Sequence, residues 1–227
     1  MRAWRIAARL ALVPLAALAA HGEEERVTFS GDRMETVLAQ GRERTRLSGN
    51  AKLISEDTEI SAGTIELYGD DFDFALTSGG VRVVNPKQGI ELTSDSLFYN
   101  RRDRVARTQG SAVLIDRENE IVVKGGFLED WEEREETIVQ IGVRIFSDDL
   151  VARAELARYD RAANTLELSG RPVVTWKGDE YRAARIFIDL DEDTIRLEGT
   201  VSGEIATESE DADATADPPA VDGEAAQ

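Results

Sequence analysis

The chain contains no cysteine and one histidine, His21, in 227 residues. No disulfide can staple it, so packing and strand pairing must hold the fold together. Thiol catalysis, histidine-based triads and cysteine/histidine zinc sites are excluded with them. Glycines never cluster ahead of a helix-like segment, so no phosphate loop is present. Bases are scarce too, 27 against 45 acids, and the formal charge of -18 repels nucleic acid and anionic surfaces. No long stretch carries the i, i+3, i+4, i+7 pattern of an amphipathic helix.

What is present begins with an amino-terminal leader. Arg2, Arg5 and Arg9 precede the apolar run Leu10 to Ala19, and Ala17-Leu18-Ala19 supplies a small-x-small cleavage pattern. Residues 1–20 therefore read as an export signal, because the run is about half the roughly 20 residues that cross a bilayer. At the other end, residues 206–227 carry seven acids, no base and little to bury, the composition of a disordered solvating tail. The segment between, 21–205, reads as one repeat-built domain.

Its landmark is a glycine that returns about every 30 residues: Gly49, Gly80, Gly110, Gly142, Gly170 and Gly199. The unit is clearest over Leu150 to Gly170, where a small residue (Ala152), Tyr159, a polar turn, Leu166, Leu168 and Gly170 follow in order. Ile60 to Tyr68 ahead of Gly80, Ile90 to Tyr99 ahead of Gly110, and Tyr181 to Ile188 ahead of Gly199 keep the same order. Self-similarity at this period marks a repeat architecture. Between landmarks the pattern alternates with period two, and polar clusters fall about every 15 residues. Short connections join antiparallel neighbours, so the chain is predicted to be an all-β antiparallel meander of about twelve long strands.

Strands of 10 to 12 residues are twice the usual length and must bend. In the third, fifth and sixth glycine-centred strands the glycine shares the parity of the apolar face, as in Leu166, Leu168, Gly170, Pro172, Val174, Trp176. Returning strands switch parity at a small residue: Ile60 and Ala62 against Ile65 and Leu67, Leu92 and Ser94 against Leu97 and Tyr99, Tyr181 and Ala183 against Ile186 and Ile188. A switch of this kind implies a bulge that keeps both halves facing one interior. Aligned bends make a crease, and the sheet folds along it into an open, V-shaped β-jellyroll trough. Its first and last strands, near 27–38 and 194–205, are left as free edges.

Chemistry-bearing clusters are few. Asp148 and Asp149, and the group Asp189, Asp191, Glu192 and Asp193, fall in turns, where solvated carboxylates are the ordinary reading and the spacing of a calcium loop is absent. Neither a metal nor a cofactor is implied. Arg101, Arg102 and Arg104 fall in a turn as well, and Trp131 lies among acids in a predicted turn, placed either to pack over a trough end or to meet a partner.

The run from Leu150 to Val174, with Tyr159, Asp160, Asn164, Leu166, Leu168, Gly170, Val173 and Val174, resembles the repeat of the organic-solvent-tolerance-like family, the LptA-type periplasmic domain of lipopolysaccharide transport. The pattern loosens elsewhere, with Tyr99-Asn100 and Tyr68-Gly69 in place of Tyr-Asp. The resemblance implies a periplasmic β-jellyroll that is not an enzyme. It would hold the acyl chains of lipopolysaccharide or a related glycolipid inside, and stack by its edge strands with homologous domains of inner- and outer-membrane components or with itself, head to tail. Leu53, Ile65, Leu67, Val83, Leu92, Leu97, Leu114, Val123, Ile145, Leu156, Val174, Trp176 and Ile186 are the positions expected to face the lipid, the six glycines the structural bends. The alternative is a scaffold that fills its own core and acts through its edges alone.

Overall fold

A computed structural model describes residues 28–39, 41–54 and 58–205; the predicted leader, His21 and the acidic tail lie outside the described residues. Every long element is a strand. The first six are β1 (Thr28–Ser30), β2 (Arg33–Val37), β3 (Arg44–Ile54), β4 (Glu59–Tyr68), β5 (Phe74–Asn85) and β6 (Ile90–Asn100). Then come β7 (Val105–Asp116), β8 (Ile121–Trp131), β9 (Glu136–Phe146), β10 (Leu150–Asp160) and β11 (Thr165–Ser169). The last are β12 (Val173–Trp176), β13 (Asp179–Arg182), β14 (Arg185–Asp189), β15 (Thr194–Glu198) and β16 (Ser202–Glu204).

These sixteen strands form one antiparallel sheet, ordered along the chain and unclosed at both ends. They make twelve runs across the sheet, as the meander predicts, because β1 with β2, β11 with β12, β13 with β14 and β15 with β16 are halves of single crossings interrupted in the middle. The interruptions and the bulges lie in one line. Register shifts occur at Ser48/Ala51, Ser61/Thr64, Ser78/Val81, Thr93/Ser96, Gln109/Ala112, Lys124/Phe127 and Ala154/Leu156. That line is the crease, and it divides every crossing into two arms. Arm A holds the halves near Leu53, Val83 and Val123, and arm B those near Ile65, Leu97 and Leu128.

Two close approaches show what the crease requires. A Cβ on Gly110, at φ +82°, would lie 1.9 Å from Oδ2 of Asp95 and 2.6 Å from its Cβ, so β6 presses a side chain onto the bare backbone of β7. Gly63 and Gly79 meet backbone to backbone, a Cβ on Gly79 falling 3.2 Å from Cα of Gly63. On β9 the corresponding inward-parity position is Ile141 at φ +69°, 65 % exposed, next to Gly142. A β-branched residue in this region is strained.

Each arm contributes an unbroken inner row. In arm A it runs Phe29, Leu53, Ile60, Val83, Leu92, Leu114, Val123, Ile145, Ala152, Val174, Tyr181, Gly203 through successive register partners. In arm B it runs Met34, Leu47, Ile65, Thr77, Leu97, Thr108, Leu128, Val139, Ala157, Leu168, Ile186, Leu197. Both rows join one hydrophobic cluster, so the arms face each other and bury their apolar surface together. The threonines within the row are made apolar in effect: Thr77 Oγ1 donates to the Leu97 carbonyl at 3.2 Å, and Thr108 Oγ1 accepts the Leu128 N–H at 3.1 Å.

Candidate functional site

The inner face is the feature of the molecule that could receive a ligand. Leu53, Ile65, Val83, Leu92, Leu97, Leu114, Val123, Ile145, Val174, Trp176 and Ile186 all point inward and are buried; Leu67 is inward, half-buried, and packs against the same cluster. Leu156 does not join them. Its register partners Gln140 and Ser169 lie on the outer face, while Ala157 next to it pairs with the inner residues Val139 and Leu168. The bulge of β10 falls between Ala154 and Leu156, so the parity switch comes before Leu156 and turns it outward.

Most of the interior is filled by the protein's own side chains, with Leu168, Val174 and Ile186 fully enclosed. Space remains between β8 and β11. An apolar pocket of about 550 Å³, counting the part that opens to solvent, is lined by Ile121, Val123, Thr137, Val139, Ile145, Ser147, Leu150, Ala157, Tyr159, Leu166 and Leu190. Residue volume accounts for the place. On β10 the inner positions between Leu150 and Tyr159 are Ala152, Ala154 and Ala157, whereas β6 has Leu92, Ser94 and Leu97 between Ile90 and Tyr99. Two of the expected lipid-facing residues, Val123 and Ile145, line this pocket.

A buried polar cluster adjoins it through Thr137 and Tyr159. Asp130 is buried, and its Oδ1 accepts from Thr137 Oγ1 at 2.6 Å and from Arg161 Nη1 at 2.5 Å. Arg161, folded back from the turn after β10, also donates Nη2 to the Trp131 carbonyl at 3.1 Å. Burial pushes the Asp130 carboxyl up, and the Arg161 guanidinium opposes that shift. Tyr159 donates its hydroxyl to Oδ1 of Asn164 at 2.8 Å, and burial pushes its pKa up to about 12. Tyr99 lies on the register row that runs Tyr99, Ala106, Asp130, Thr137, Tyr159; its buried hydroxyl has no hydrogen-bond partner among the described residues, and burial likewise pushes its pKa up to about 12. Such burial holds the neutral form of both phenols.

Turn carboxylates are occupied in the turns themselves. Asp189 Oδ1 accepts the N–H groups of Asp191 and Glu192, Asp191 accepts from Asn164 Nδ2 at 2.7 Å, and Asp193 pairs with Lys177. Arg101 and Arg102 pair with Asp73, and Arg104 with Glu132. Trp131 is the last residue of β8 rather than part of a turn. Its Nε1 donates to Glu129 at 2.5 Å, and the Arg134 guanidinium lies 4.0 Å from the ring, so it is held among outer-face charges.

Among the described residues no strand caps either end of the trough, and Phe29 and Met34 in the first crossing, with Val201 and Ile205 around the last, are inner-parity residues about half or more exposed. At both edges the outward backbone groups of the terminal strands lack a sheet partner among the described residues.

No protein-family model matches the sequence, and no curated protein matches it. Among solved structures, the chain is similar to LptH of Pseudomonas aeruginosa, described as the LptA-homologous periplasmic component of the lipopolysaccharide transport device. The two are 11 % identical with a TM-score of 0.25, and the match covers 81 % of this chain and 97 % of that one.

Proposed function

We propose that this chain is a non-enzymatic carrier of lipid in the periplasm, binding acyl chains of lipopolysaccharide or a related glycolipid along the crease and passing them toward the outer membrane. The observation that carries the reading is an apolar inner face that runs through all twelve crossings of the described residues and meets no cap among them at either edge. A core serving stability alone gains from capped ends; exposed inner residues on unpaired edge strands suit continuation into another such trough. The pocket between β8 and β11 is where a first acyl chain would enter, by parting the arms further.

Magnitudes favour lipid despite the acidic surface. Repulsion between an anionic head group and screened surface charges is about 1 kcal/mol or less. Burying an acyl chain contributes about 0.8 kcal/mol per methylene, so a few buried carbons outweigh it.

A photo-reactive benzophenone side chain at Val139, which lines the pocket, tests the reading. Irradiation in cells should yield an adduct that mass spectrometry identifies as an acylated glycolipid, whereas the same probe at outer-face Arg144 should not. Lipid-free protein from both sites would overturn the carrier role. The close packing of Leu168, Val174 and Ile186 keeps a second reading, a self-filled scaffold acting through its edges, and lipid-free protein that still self-associates would favour it.

A further inference from the structure

On the outside of arm A, one register row gathers cations in a chain that is otherwise short of them. Successive partners across the sheet read Lys52, Ser61, Arg82, Thr93, Val113, Lys124, Arg144, Arg153, Val173, Arg182, Ser202. The row holds six bases and no acid, within a protein of formal charge -18. Lys52, Arg82 and Arg182 are each neutralised locally, by Glu59, Glu91 and Glu180.

The central three differ. Lys124, Arg144 and Arg153 are direct register neighbours on β8, β9 and β10, all exposed, and none makes an ion pair among the described residues. Like charges placed directly opposite are destabilising in a sheet. The next outer row, where glutamates serve the other three, is here Val122, Phe146 and Val151. Glu155 leans over Gly170 at the crease instead.

We propose that the acidic carboxy-terminal segment, residues 206–227, lies across this row and supplies the missing counter-charges. Its seven acids and absence of bases complement the triad. Its origin is also suitable: the described chain ends just after β16, whose Ser202 is itself the last member of the row. Strands spaced about 4.8 Å apart put Arg153 roughly 14 Å and Lys124 roughly 24 Å from Ser202 along the sheet. An extended segment of this length reaches about 70 Å at ~3.3 Å per residue. Tethering raises its local concentration to the millimolar range, so individually weak contacts suffice. The segment thus shields this basic row from other polyanions.

The lack of cysteine makes the test direct. A spin label on Ala220→Cys in the full chain should selectively weaken the amide NMR signals around Lys124, Arg144 and Arg153 at low salt. The signals should recover at ~1 M salt, where the Debye length is about 3 Å, and on addition of excess free peptide 206–227. In the variant Lys124→Gln/Arg144→Gln/Arg153→Gln the selectivity should vanish. Loss spread evenly over both arms, or no loss at low salt, overturns the proposal, and the salt and peptide arms decide it in the wild-type background even if the variant fails to fold. No selective loss, together with triad-dependent sedimentation on phosphatidylglycerol vesicles, would assign the row to an anionic membrane surface and overturn it too.

Discussion

Substituting alanine at two crease glycines separates backbone strain from steric contact. Gly80 and Gly110 have nearly the same backbone, φ +78° and +82°, but a Cβ on Gly80 meets nothing within 4 Å. Gly80→Ala should therefore cost about 1 kcal/mol, the penalty of an L side chain in the left-handed region. At Gly110 the added Cβ would lie 1.9 Å from Oδ2, 2.4 Å from Cγ and 2.6 Å from Cβ of Asp95. Rotation of Asp95 can withdraw its carboxylate, since the side chain is exposed, but not its Cβ, which is tied to β6. Overpacking of this kind adds about 1–3 kcal/mol, giving a total of about 2–4 kcal/mol for Gly110→Ala. Asp95→Gly removes the obstruction at a cost of about 0.5–1 kcal/mol for the added backbone freedom. The double variant should then be less destabilised than the sum by about 1–3 kcal/mol. Urea unfolding followed by fluorescence of Trp131 and Trp176 measures all four states. Equal losses for Gly80→Ala and Gly110→Ala, or a cycle with no coupling, would refute the account of the crease as a place where side chain presses on bare backbone.

The buried tyrosines predict the alkaline limb of stability. Tyr99 and Tyr159 have folded pKa values raised to about 12 from 10, so their contribution is complete below pH ~10 and lost as the pH rises through the folded values, by ~2–3 kcal/mol each. Ultraviolet titration should show two of the four tyrosines ionising only near pH ~12 or on unfolding, and urea midpoints flat through pH ~10 to 12 would contradict it. Arg161→Gln should destabilise by about 3–5 kcal/mol by leaving Asp130 buried without its cation, and adding Asp130→Asn should restore much of the loss; equal urea midpoints for the single and double variants would refute this. Ala157→Leu should fill the pocket at a cost of at most about 1–3 kcal/mol and lower glycolipid adducts at the Val139 probe at least tenfold, whereas undiminished adducts would place the lipid elsewhere.

Much of this fold can be read in the sequence because it depends on parity along single strands. Gly110 and Gly170 share the inner parity of Leu114 and Leu168, and the switches at Ala62, Ser94 and Ala183 coincide with the bulges or breaks of β4, β6 and β13/β14. Gly49 proves to share the inner parity too, between Leu47 and Ala51, while in the second and fourth copies the inner-parity places belong to Gly79 and Ile141. Leu156 was misplaced for a local reason. Alternating alanines on both sides carry almost no hydrophobic contrast, so the position of the β10 bulge has no signature until its partners are known. The pocket and the cationic row were illegible for a different reason: each arises from residues about 30 apart that only register brings side by side. Trp131 reads as a turn residue because acids surround it, yet Leu128 and the acid Asp130 are inward positions at the end of β8, and Glu129 and Trp131 are the outward ones that alternate with them.

The single direction of the meander has a consequence for growth. Each out-and-back copy of about 30 residues advances the trough by two strand spacings, roughly 10 Å, and adds the same cross-section. Because the inner rows run from neighbour to neighbour and never return, the cavity keeps no record of where one polypeptide stops. Gene duplication and edge-to-edge assembly would then be equivalent ways to lengthen it: both continue the inner rows by one more register step, whether the join is a peptide-bonded turn or a seam between molecules.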